Sequence, residues 1–77
     1  MPSLQGRVSR LYTDLQSVSD AAIMGRSLVG VYNTLLDLAH QERPEDAVLS
    51  RMSELSGNVD AATLRALVGQ IVAAFDR

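Results

Sequence analysis

A chain of 77 residues with 47% hydrophobic side chains makes one small domain. It contains no cysteine, which excludes disulfides, thiolate metal sites and cysteine nucleophiles, and its one histidine leaves any metal to lean on carboxylates. A net charge of −2 gives no support to nucleic-acid or anionic-membrane binding, both of which need a basic patch.

The chain opens with MPSLQGRVSR, which lacks the apolar run of a signal peptide. Leu4, Val8, Leu11, Leu15 and Val18 then recur at spacings of four and three, one apolar stripe on a helix that keeps Arg7, Arg10, Asp14 and Gln16 off it. Ser3 is its expected N-cap, and Arg10 and Asp14, one turn apart, can pair.

At Gln16 to Asp20, QSVSD, two serines flank a β-branched valine and Asp20 can cap a new helix. Without Gly or Pro, the heptad phase also runs on through Ala22, Gly25, Val29, Tyr32, Leu36 and Ala39. Two readings follow: one long helix over 3–41, a rod of about 58 Å, or two helices broken between Ser17 and Asp20.

Asp20 to Ala39 carries a second apolar stripe beside the first: Ala21, Met24, Leu28, Val31, Leu35 and Leu38. Together the two leave only Arg26, Gly30, Asn33, Asp37 and His40 as a polar strip, so this helix should be packed from two sides. Its polar interruptions rule against a membrane span.

Arg43–Pro44 ends that helix, because the residue before proline is pushed out of the α region. Pro44 is expected at the first position of a third helix over 44–56, with Glu45 and Asp46 at its positive end and Gly57 as its stop. Asp60 should cap a fourth helix over 60–76, with Val59 stapling onto Leu64 and a stripe of Leu64, Leu67, Val68, Ile71, Val72 and Phe75. The last two helices, joined by a short turn, would form a hairpin. Abundant Leu and Ala with 4% aromatics agree with an all-α bundle of three or four helices.

Candidate chemistry is sparse. His40 shares a face with Asp37 and Asn33 but lacks a partner constellation, and it reads as a solvated helix end. Glu42, Glu45 and Asp46 read as helix-end acids rather than a cation site. Residues 48–72 match a helix-turn-helix only loosely, because the second helix opens on Asp60-Ala61-Ala62-Thr63 and offers Arg65 alone as a contact to a partner or to nucleic acid. Ser27-Leu28 is the one dipeptide that could carry a phosphopantetheine arm, but Arg26 precedes it and a helix pattern surrounds it. All seven basic residues are Arg, which reads first as a GC-rich, bacterial-like coding bias.

The expectation is therefore a non-enzymatic, cytoplasmic interaction module, an adaptor or small acidic inhibitor, without metal or cofactor. A 39-residue rod would outreach any short hairpin, and with a break the doubly apolar second helix would still overfill one side, so in both cases a homodimer or tetramer should complete the bundle. Its interface would be Leu4, Val8, Leu11, Leu15, Val18, Ala22, Gly25, Val29, Tyr32 and Leu36, leaving the hairpin for another protein. The alternatives are a dimeric DNA-binding regulator, favoured if the arginines gather on one face, and a small carrier or cofactor-binding bundle.

Overall fold

The computed structural model describes residues 3–76. Four helices and a minimal two-stranded ladder follow in the order α1 (Leu4–Gln16), β1 (Ile23–Met24), α2 (Arg26–Glu42), α3 (Ala47–Arg51), β2 (Val59–Asp60) and α4 (Ala61–Asp76).

The long rod does not form. α1 starts where expected, with Ser3 Oγ accepting the Gly6 N–H at 3.0 Å, and it stops at Ser17, whose hydroxyl turns back to the Asp14 carbonyl. The next backbone groups find partners far away in sequence. β1 pairs antiparallel with β2, Ile23 opposite Asp60 and Met24 opposite Val59. Beside this ladder the Ala61 N–H donates to the Ala22 carbonyl at 2.8 Å and the Ala62 N–H to the Asp20 carbonyl at 3.2 Å. The loop thus satisfies the first donors of α4, a task usually left to caps or water.

α2 begins on Gly25 in extended backbone and ends at Arg43, before Pro44 as expected. The third helix departs from expectation at both ends. Pro44 and Glu45 form a turn, and Asp46 is the N-cap, its carboxylate accepting the N–H groups of Val48 and Leu49 at 2.9 and 3.0 Å. α3 then stops after five residues. The cause lies on α2: Asn33 donates its amide to the Leu55 carbonyl and accepts the Leu55 N–H, both at 2.8 Å. An amide that satisfies both backbone groups of one residue imitates a strand neighbour, so residues 52–58 dock in an irregular conformation instead of continuing the helix. Gly57 sits in this segment at φ 78°, not at a helix end. The hairpin of two helices is replaced by a short helix and a long connection, and Val59, in β2 just before α4, packs against the core that includes Leu64.

α4 packs along α1 more extensively than any other pair of elements, and it also touches α2, α3 and the ladder. The approach is close at Gly69, where a Cβ would come within 3.1 Å of the Tyr12 ring. Between them lies a core that includes Val8, Leu15, Tyr32, Leu36, Leu49, Leu64, Val68 and Ile71, all buried. The chain exposes 4780 Å². A compact monomer of its mass is expected to expose roughly 4,600 Å². One copy therefore closes its own core, and the premise that a second copy must cover a bare rod falls away.

Candidate interaction surface

The ten residues expected at an oligomer interface split into three groups. Val8, Leu15, Val29, Tyr32 and Leu36 are buried within a single chain, and Leu4, Leu11, Val18 and Ala22 pack partly against the same core. Gly25 is exposed, with open space around it within the chain. Because the chain folds back after Ser17, α1 and α4 cover the stripe that a rod would have presented outward.

What stays uncovered is the other stripe of α2. Met24 and Leu35 are buried, yet Leu28 is 36% exposed, Val31 44%, and Ile23 on β1 64%. These are the exposed large hydrophobics among the described residues. Along the α1–α2 seam, Leu11, Val31 and Leu35 line a shallow depression of about 230 Å³ edged by Arg7, Arg10 and Asp14. Around Val31 the solvent face of α2 is Ser27, Gly30 and Thr34, all uncharged and exposed. Arg10 and Asp14 form no ion pair with each other; among the described residues the ion pair in the chain is Arg65–Asp20.

A larger groove of about 740 Å³ runs between α3, the segment after it and α4, with Val48, Met52, Leu55 and Leu67 among its lining and Arg51, Glu54 and Gln70 at its edges. Ser53 also lines it, and its charged residues, Arg51 and Glu54, are of opposite sign.

Arg65 is engaged inside the chain through three hydrogen bonds. Its Nε donates to the Leu15 carbonyl at 3.1 Å, Nη2 to the Val18 carbonyl at 2.7 Å and Nη1 to Asp20 at 2.6 Å. The guanidinium caps the end of α1 and fastens the following loop to α4, so the residue singled out for partner or nucleic-acid contact acts as a clamp of the fold. The other described arginines are distributed over α1 (Arg7, Arg10), the start and end of α2 (Arg26, Arg43) and α3 (Arg51); Arg77 lies outside the described residues. Arg43 lies over the Phe75 ring, 5.3 Å from its centroid. Instead of the tight turn that a helix-turn-helix needs, residues 52–60 separate α3 from α4.

His40 is half-buried, not solvated, and its Nε2–H donates to the Leu49 carbonyl, which ties α3 to α2. Asp60 caps α4 as expected: the Thr63 hydroxyl donates to it at 2.7 Å and the Thr63 N–H at 3.2 Å, and these two bonds hold its carboxyl below the usual range. The Tyr32 hydroxyl is buried without a hydrogen-bond partner among the described residues, and burial raises its pKa. Ser27 is exposed in the first turn of α2. Among the described residues no group of three or more His, Cys, Asp or Glu is placed to hold a metal, and no helix is long and apolar enough to cross a membrane.

No protein-family model, curated protein or solved structure matches this chain.

Proposed function

We propose that this chain is a non-enzymatic helical interaction module of the cytoplasm that engages other proteins, its own copies included, through the outer stripe of α2. One observation carries this reading. The chain closes its core to the surface area of a compact monomer yet leaves Leu28 and Val31 exposed one turn apart on α2, beside the uncharged Ser27, Gly30 and Thr34, with Ile23 exposed on β1. Single exposed aliphatics are ordinary, whereas neighbouring ones on a helix face mark contact sites. The direct test places a photo-crosslinking amino acid at Val31 or, for comparison, at Glu54 on the α3–α4 groove, in the cells that make the protein. A discrete adduct at position 31 and none at 54 is the expected result. Adducts at 54 alone, or at neither position, would overturn the proposal.

A second reading, a carrier, draws support from the exposure of Ser27 in the first turn of α2. Incubation with coenzyme A and a phosphopantetheinyl transferase would then add mass at Ser27, and an unchanged mass rejects it.

A further inference from the structure

The geometry points to a second copy of this chain as the occupant of the α1–α2 seam, docked about a two-fold axis that passes near Leu11 and Val31. The inference rests on the interaction reading above and names the partner for its surface.

The apolar part alone does not choose a partner; the charges beside it do. Arg10 and Asp14 both edge the depression around Val31, both are exposed, and they are unpaired in the chain although they sit one turn apart. Their order explains this, since a base placed before an acid on a helix is the weaker arrangement of the two. A two-fold axis perpendicular to α1 near its middle reverses the helix direction in the second copy. Arg10 of one copy then stands opposite Asp14 of the other, and the same pairing repeats on the far side of the axis. The seam is thus complementary to itself, as an isologous contact requires. Val31 meets Val31 close to the axis. Gly30 beside it leaves open space where a Cβ would stand, so the second backbone can come near.

A specific interface covers about 800 Å² per partner. That is about a sixth of the 4780 Å² available here, so the contact must reach beyond Leu28 and Val31 onto the first turns of α1. Association in the micromolar to millimolar range fits a surface whose apolar core is this small.

Sedimentation equilibrium of the full chain, from micromolar to millimolar, tests the pairing with Arg10→Asp, Asp14→Arg and the double swap. These side chains are exposed, so far-UV circular dichroism should show unchanged folding. Each single reversal turns two symmetry-related attractions into repulsions and should weaken dimerisation about tenfold. The double swap should restore it, and Val31→Glu should leave only monomer. A wild type that stays monomeric throughout, or a double swap no tighter than either single variant, overturns the inference. Photo-crosslinking from Val31 to a different protein, with a monomeric wild type, would sink the self-pairing while sparing the broader proposal.

Discussion

Replacing Arg65 with methionine keeps an aliphatic stem on α4 but removes the donors that hold the end of α1 and its loop. Two of the three bonds go to the backbone carbonyls of Leu15 and Val18, and the Leu15 carbonyl also keeps the Val18 N–H at 3.2 Å when Arg65 is removed. Hydrogen bonds from a charged donor contribute about 1.5–3 kcal/mol each when buried. The side chain here is 21% exposed, which lowers that figure, and the two bonds share one residue. The third contact joins Asp20, whose side chain is 75% exposed, and an ion pair so wet adds only ~0–1 kcal/mol. Arg65→Met should therefore cost about 2–3 kcal/mol and Asp20→Ala about 0.5 kcal/mol. In a domain of this size such a loss lowers Tm by roughly 10–20 °C. Arg65→Lys keeps the charge but not the planar fork, so it should fall nearer to Met than to the wild type. Urea denaturation followed by far-UV circular dichroism measures all three, with the Asp20→Ala, Arg65→Met double variant closing the cycle. If Asp20→Ala costs as much as Arg65→Met, the ion pair and not the backbone capping is the stabilising element, and the reasoning fails.

Three further tests follow from single contacts. Tyr32→Phe removes a buried hydroxyl that has no partner, so stability should be unchanged or rise by up to ~1 kcal/mol, and a loss larger than that would reveal a hydrogen bond. Because burial raises its folded pKa, the Tyr32 contribution is complete below the unfolded value of about 10 and is lost as pH rises beyond it; Phe should remove that alkaline decline. Asn33→Ala should cost about 1–3 kcal/mol and speed amide exchange at Leu55 while the α1–α4 core stays protected, whereas uniform acceleration would mean residues 52–58 do not open separately. Asp60, held low by the Thr63 hydroxyl and then by its N–H, stabilises α4 above its unfolded pKa of about 3.9, and this is lost as pH falls through the lower folded value. A series of urea midpoints from pH 6 down to about 2 should therefore decline less steeply for Asp60→Asn than for the wild type, and identical slopes would contradict the cap.

Local chemistry in this chain is legible from sequence; chemistry that depends on distant partners is not. Ser3 and Asp60 cap helices as their positions suggest, and Arg43–Pro44 ends α2, because each effect acts within one turn. The helix break is different. Nothing in QSVSD forces it, and it is stabilised by Arg65, Ala61 and Ala62, through contacts that span about forty to fifty residues of sequence. The shortness of α3 likewise depends on Asn33, which in sequence is simply one polar residue on a helix.

The candidate surface inherits that uncertainty of phase. Two stripes on α2 are equally apolar, and sequence alone identifies neither as the inner one. A continuous rod would present Val29, Tyr32 and Leu36 outward. Once the chain turns at Ser17 those side chains are inside, and Leu28 and Val31 stay outside. Substituting Glu at Leu15 or Val29, natural choices for a rod, would disrupt the core and report on folding instead of assembly.

The most direct measurement is a dilution series of backbone amide spectra on the full chain, from about 1 mM to the low micromolar range set by the expected weak association. The account predicts concentration-dependent shifts confined to residues 7–14 and 27–35, with Val31 among the largest and none of them present in Val31→Glu. Spectra that do not change with concentration, or shifts that gather instead on Val48–Leu55 and the facing side of α4, would contradict it.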